Sequence, residues 1–401
     1  MAVVNWRHLT SANVSAVAQS KTFTVTGTGG GTAVWTFTLT DDNGDTHTVT
    51  YTEDGSPSVT EVATGLFGAW NASSNPHLQR ITATNPSAGV VVLTSDTAGI
   101  PFSVALADDG SGTHTEADTT ASVGLNDYGT AANWTSNAVP IAVYDDVTFE
   151  AGAVGAIYGL NQSAVAIPSF TVEEGCTSQI GRFEFGQYKY LRIDPDAFTY
   201  RGQGRLCLFD LGSAAIAPTI FSTGEPNTQG LPALFLKGSA LSTVEILRGH
   251  VGLAYLDGDT ATVATLTVGN QGAAAGAFGG QTVLYLGSGL TLTTLNLSGG
   301  TCNAECAMTT ATVSPNGILK TSGAGAITTC NLFGQGVFNS TGTVGTLNCH
   351  GLADFTQDRT ARTISTLVEF DGGEILYHSG ITISARTALA SSGNFRYVLV
   401  D

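Results

Sequence analysis

The amino-acid sequence predicts a mainly β protein: a small α+β module near the N-terminus, then a parallel β-helix that assembles as a trimer. Three observations lead there. Apolar residues make up 42% of the 401 and charged residues only 12%, about half the usual charged share of a soluble domain. Such a chain has a core to bury and is not disordered, and its 50 glycines lack the every-third-residue period of collagen. From about residue 150 onward, short apolar strands alternate with Gly, Asn and Ser, and no helical period is found. Within that region one strand-and-turn pattern recurs at short intervals.

Residues 1–20 read as a short arm with Trp6 and Leu9 as anchors. The next unit spans 21–107. TFTVTG (22–27) alternates with period two, and 33–54 reads as a hairpin turning at Asn43-Gly44, residues that tolerate positive φ. Pro57 precedes Ser58-Val59-Thr60-Glu61, a capping-box pattern. Val62, Leu66 and Ala69 follow at helical spacing with Trp70 adjacent, and Asn71-Ala72-Ser73 ends the helix. Strands resume at 81–84, 89–96 and 101–106. The polar, acidic stretch 108–127 reads as a linker, and 108–150 as a whole leads into the coiled region.

Region 151–401 opens with strands at 165–172, 189–194, 205–211, 233–238 and 242–247. Its repeats are clearest at 263–373: VATLTVGNQG, LTTLNLSGG, MTTATVSPNG, ITTCNLFGQG, VGTLNCHG and ISTLVEFDGG. Each has Thr, an apolar residue shortly after, and Gly. Aligning them places Leu266, Leu295, Ala311, Cys330, Leu347 and Leu367 in one inward column, at spacings of 29, 16, 19, 17 and 20 residues. Apart from the first, these spacings match one turn of a parallel β-helix. The 29-residue interval contains GAAAGAFGGQ, read as a loop on one rung. Residues 251–350 hold only Asp257, Asp259, Glu305 and Lys320 as charges. A wall of Thr, Ser, Asn and Gly suits packing against copies of itself, hence the trimer; the alternative is a monomeric coil solvated by its hydroxyls.

Two stretches carry a resemblance. TFTVTG, THTVTYTED, EVATGLFGAWNAS, ITATN and VVVLTSDTAGIPFSV together resemble small β-rich domains that recur in tailed-bacteriophage virion proteins, most specifically at 93–102. ANWTSNAVPIAVYDDVTF (132–149) followed by IYGLNQSAVAIPSFTVEE (157–174) resembles phage and prophage-like bacterial proteins in which an Asn-Trp and Val-Pro segment opens a β-solenoid. The resemblance covers about a third to a half of the chain. It implies a virion structural protein and brings no catalytic residues with it; fold analogy alone does not fix function.

Net charge is −17, and the first 150 residues hold 15 acids against 3 bases. No basic stripe of the kind a nucleic-acid binder needs is present; the acidic third is expected to face solvent or a basic partner. No apolar run approaches the roughly 18–20 residues of a membrane span, and MAVVNWRHLT lacks a basic-then-apolar leader. The six cysteines are too few for a disulfide scaffold of this length. They are expected to be buried free thiols, in keeping with assembly in a reducing cytoplasm.

HExxH, GxSxG, a Walker A loop and a strand-to-helix GxGxxG are all missing from the sequence. Cys302 and Cys306 lack the further ligands zinc requires. Cys349 and His350 are adjacent on a strand and so face opposite sides. Glycan cleavage wants two carboxyls roughly 5–9.5 Å apart. Asp354 with Asp358, or Glu369 and Asp371 with Glu374, are the candidates, against ordinary solvated acids. Glu369 and Asp371 are two apart and could share a strand face. Few aromatics accompany them, and no Trp follows Trp134. Asp41-Asp42 and Asp145-Asp146 lack the DxDxDG calcium loop, so neither metal nor cofactor is expected.

The functional expectation is a non-enzymatic virion protein that decorates or cements the capsid, assembled in the host cytoplasm. Its partners would be its own copies and the major capsid protein or other virion proteins, with no nucleic acid and no membrane. Trp6, Leu9, Trp35 and Trp70 are candidate interface anchors, since aromatics are enriched at interface cores; core packing is the alternative for Trp35 and Trp70. The alternative function is a tail spike or fibre that binds, or also cleaves, a host surface glycan through Asp354, Asp358, Glu369 and Asp371. A surface adhesin is a third reading, disfavoured by the missing leader.

Overall fold

Period-two alternation of Thr with large apolar residues folds the first part of the chain into two antiparallel sheets against one helix. The computed structural model describes residues 2–7, 14–140, 145–213, 215–226, 230–269, 282–322, 325–334, 336–357, 359–389 and 394–400. It is mainly β, with 54% of residues in strands and 4% in helices, and it holds a long parallel sheet of about 16 strands.

After β1 (Ala2–Trp6) come β2 (Ser20–Gly27), β3 (Val34–Thr40), β4 (Thr46–Thr52), α1 (Val59–Asn71), β5 (Ile81–Ser87), β6 (Val90–Ser95), β7 (Ser103–Asp108) and β8 (Thr113–Thr120). One sheet has the order β5-β6-β2-β8 and the other β4-β3-β7. Ser58 caps α1, its Oγ accepting from Glu61 N–H at 3.2 Å. The Glu61 carboxylate accepts from the Tyr51 hydroxyl instead of closing the capping box. Val62, Ala63, Leu66 and Trp70 are the buried residues of the helix, and Ala69, partly buried, packs against the same core. Phe37 meets Phe23 and Trp70 edge-on, at centroid distances of 4.9 and 5.6 Å. In the hairpin turn Gly44 alone takes the left-handed region, at φ 86°.

Two boundaries differ from the sequence expectation. The module extends past 107: β8 lies in the stretch read as a linker and pairs antiparallel with β2. Its sequence, THTEADTT, has no apolar face. The strand is held by its backbone ladder and by Glu116, which takes Leu106 N–H at 2.9 Å and Lys21 at 2.7 Å. The first residues are also not an arm. β1 pairs in parallel with β9 (Asp145–Phe149), which pairs with β10 (Asn161–Val172). The parallel sheet therefore starts with these strands rather than at 151.

A short antiparallel hairpin, β11 (Arg182–Glu184) and β12 (Gln187–Lys189), precedes β13 (Leu191–Tyr200). Beyond β13 the chain shuttles between two parallel ladders. The first continues from β1, β9 and β10 through Ala261–Val268, Leu290–Leu297, Met308–Val313, Ile327–Leu332, Val344–Cys349 and Arg362–Glu369 to Ile381–Ala388. The second runs through His250–Leu253, Val283–Leu286, Gly300–Ala304, Gly317–Thr321, Val337–Ser340, Leu352–Asp354 and Glu374–Tyr377 to Arg396–Leu399. Each strand pairs with the strand two further on, so like positions stack about 4.8 Å apart.

This register makes columns. Leu266 stands beside Leu295, then Ala311, Cys330, Leu347 and Leu367, all at 0% exposure. A second buried column runs from Trp6 through Phe149, Val172, Tyr200, Ile220, Ile246, Val268, Leu297, Val313 and Leu332 to Cys349. The expected loop at GAAAGAFGGQ lies outside the described residues.

Candidate functional site

The tryptophans expected at an interface are consumed inside the chain. Trp35 and Trp70 are 0% and 2% exposed in the module core. Trp35 Nε1 donates to Glu53 at 2.8 Å and Trp70 Nε1 to Ile81 O at 2.8 Å. Trp6 is fully buried, and its Nε1 donates to Val154 O at 2.8 Å. A buried indole whose N–H is satisfied has nothing left to offer a partner. Leu9 lies outside the described residues.

The candidate carboxylates have partners of their own. Asp354 is buried and accepts from Thr356 and Gln357, and Asp358 lies outside the described residues. Glu369 ends its strand and accepts from the Tyr397 hydroxyl. Asp371 sits in the turn that follows, so the two share no strand face. Cys349 points inward while His350 points outward, stacked on Phe370 at 3.5 Å. Asp146 accepts from Ser169 Oγ at 2.6 Å.

The densest set of charges lies where the β11–β12 hairpin meets the module. Lys189, with a fully buried side chain, donates from Nζ to Asp41 Oδ2 and, at 2.7 Å, to Gln187 Oε1. Arg182 pairs with Asp42 at 2.6 Å and Glu184 at 2.8 Å, and Glu184 takes Arg80 at 3.0 Å. Asn43 Nδ2 donates to Tyr188 O at 3.0 Å. His47 and His77 stack with centroids 3.9 Å apart. His47 Nε2 and His77 Nδ1 stand 3.7 and 3.9 Å from the same Asp41 Oδ2.

Asp41, His47 and His77 have the proximity of a metal triad, but the Lys189 ammonium already occupies their shared oxygen. A divalent cation would sit against a buried positive charge, so the cluster reads as an ion-pair latch between the two parts of the chain. Burial raises the Asp41 carboxyl, and the hydrogen bond and charge of Lys189, with the Asn43 and Asp45 N–H groups, outweigh it and hold it low. Sequence reasoning missed the latch because its members lie up to 148 residues apart.

Burial, then the charges of His47 and Lys189, push His77 below its ordinary 6.5. An unfolded His takes up a proton near pH 6.5, whereas folded His77 resists it. Stability is therefore lost as pH falls below about 6.5. Asp127 acts in the opposite sense: burial pushes it up to about 6, so its contribution is lost as pH rises through that value. Comparing wild type with His77→Gln isolates the histidine. The variant is expected to lose less of its Tm than wild type between about pH 7.5 and 5.0; equal losses would contradict the account.

The outer faces of the ladders are the remaining organised surface. On the first ladder Thr243, Thr265, Thr294, Thr310, Thr329, Thr346 and Thr366 stand in register. Beside them run Thr267, Asn296, Thr312, Asn331 and Asn348, with Asn348 donating to Asn331 at 2.7 Å. On the second ladder Val283, Thr301, Ile318, Val337 and Leu352 form an outward, half-buried column. Between Val283 and Leu352 the sequence holds two charged side chains, Lys320 on a strand and the exposed Glu305 just past one.

Compared with known protein families, characterised proteins and solved structures, the chain matches none.

The six cysteines are free and buried. Burial pushes the Cys207 thiol up to about 12 and the Cys306 and Cys349 thiols up to about 11. A thiol held protonated is a poor nucleophile. Native protein is expected to react with no equivalent of a water-soluble disulfide reagent, and denatured protein with all six. Rapid native reaction of even one would contradict this burial.

Proposed function

We propose that this chain is a non-enzymatic structural protein of a phage or phage-like particle, whose parallel strands form a β-helix and whose copies associate as a trimer. In this reading the trimer decorates or cements the shell, with the major capsid protein as its partner. The observation that supports self-association is the nearly uncharged outer surface between Val283 and Leu352. Copies of a −17 chain repel one another, and a face without charge is where they can meet. Ile318, Val337 and Leu352 add an apolar column from which water is released when a second copy covers it. Parallel stacking fixes that column over several rungs, so the surface is stiff before it binds. The phage assignment rests on the sequence resemblance over 21–107 and 132–174.

The mechanism is mechanical. A trimer bridging neighbouring shell subunits binds only the assembled form and stabilises it by mass action. Quantitative mass spectrometry of purified particles, against the major capsid protein, tests this. A ratio near one to one supports shell decoration. A few tens of copies or fewer would sink it and place the chain on the tail.

A further inference from the structure

Between Glu173 and His250 successive turns of the parallel region bring three arginines to one place, Arg201, Arg205 and Arg248. The turns bond to one another. Gln203 N–H donates to Cys176 O at 2.7 Å, Ser222 Oγ to Arg201 O at 3.1 Å, and His250 N–H to Thr223 Oγ1 at 2.7 Å. They enclose an open groove of about 680 Å³ whose lining includes Gln179, Gln203, Arg205, Thr223, Arg248 and His250. That is the size range of small-molecule sites.

This corner inverts the character of the molecule. In a chain of net charge −17, the groove is lined by two arginines, a histidine and one carboxylate, Glu225. Among the described residues no carboxylate pairs with Arg205 or Arg248. The Glu225 side chain is 78% exposed and stands 3.9 Å from His250 Nε2 at the rim. His250 Nδ1 is buried with no partner. An adjoining pocket that shares Ser222 and Arg248 is lined by Glu174, Arg201 and Phe221; there Arg201 lies 4.2 Å over the ring of Phe221, which is 36% exposed.

We propose that this groove binds a carboxylate-bearing saccharide. Arg205 and Arg248 offer planar guanidinium forks, which take a carboxylate bidentately. The Gln203 amide and the Gln179 side-chain carbonyl match sugar hydroxyls, which need both donors and acceptors, while the Thr223 hydroxyl is held by Gly224 O and His250 N–H and shapes the wall. Phe221, in the adjoining pocket beneath Arg201, adds apolar surface next to the groove. The corner is stiff: a Cβ on Gly224 would sit 2.4 Å from Gln203 O, so the turns already touch, and a preformed site loses less on binding. Nucleic acid fits worse, because a strand needs a basic groove that follows its backbone and the charge here is confined to one corner. The groove binds and does not cleave, since hydrolysis wants two carboxyls and Glu225 stands alone in the lining. The inference is independent of the shell-decorating role.

The test is calorimetric titration of the full chain with trigalacturonate, a hyaluronan tetrasaccharide and sialyllactose. Maltotriose and an oligothymidylate serve as controls. At least one acidic sugar is expected to bind, with maltotriose silent. Arg205→Gln and Arg248→Gln should each weaken it about tenfold with Tm unchanged, since both side chains are exposed. Silence of all three acidic sugars at millimolar concentration overturns the proposal. So do equal binding of maltotriose, indifference to both substitutions, and tighter binding of the oligothymidylate.

Discussion

Lys189→Ala is expected to destabilise the protein by about 3–5 kcal/mol, because removing one partner of a buried ion pair strands the other. Asp41 would remain buried with only the Asn43 and Asp45 N–H groups on its carboxylate. The bare nitrogens of His47 and His77 would be left facing an unneutralised charge. The double variant Asp41→Asn with Lys189→Met removes both charges and is expected to recover much of the loss. Urea unfolding at neutral pH reads both. Because the latch joins the module to the parallel region, the single variant is also expected to split one unfolding transition into two. A loss under about 1 kcal/mol would show that the pair behaves as a surface salt bridge.

Trp6→Ala is expected to cost about 3–5 kcal/mol, the range for deleting a buried Trp. The ring lies against Tyr128 at 5.9 Å, Trp134 at 4.8 Å and Phe149 at 5.3 Å, and its N–H closes on Val154. It heads the inward column that continues through Phe149 and Val172. Losing it opens the first rung, and end rungs protect the remainder of a stacked array. Thermal unfolding separates this from an external anchor: an anchor would leave Tm unchanged and weaken assembly alone.

The repeating half was legible because its period is written in side chains. Thr-Leu-Asn, Thr-Ala-Thr and Thr-Cys-Asn at 294–296, 310–312 and 329–331 each place one apolar residue between two polar ones. Stacking then puts Leu295, Ala311 and Cys330 in one column. The helix was legible from Ser58, although Glu61 bonds Tyr51. Elements without an apolar face were hidden. β8 is an exposed strand held by its ladder, and β1 gains its partner across more than 130 residues. The tryptophans were ambiguous because an indole suits a core as well as an interface, and only tertiary contacts decide. The latch was out of reach for a similar reason: Lys189 alternates like a surface residue, and its burial depends on a turn in another part of the chain. Carboxylate spacing in sequence misplaced Glu369 and Asp371 because the strand ends between them.

Copies of this chain are expected to join through the outer column of the second ladder. Sedimentation velocity on the purified full chain tests it most directly, with Val337→Lys placing a charge in the middle of that column. A wild-type species of about 123 kDa, three times the 41.1 kDa chain, is expected, with a single-chain species for the variant and its Tm retained. A wild-type protein that stays at 41.1 kDa at every concentration, or an assembly indifferent to Val337→Lys, would contradict it.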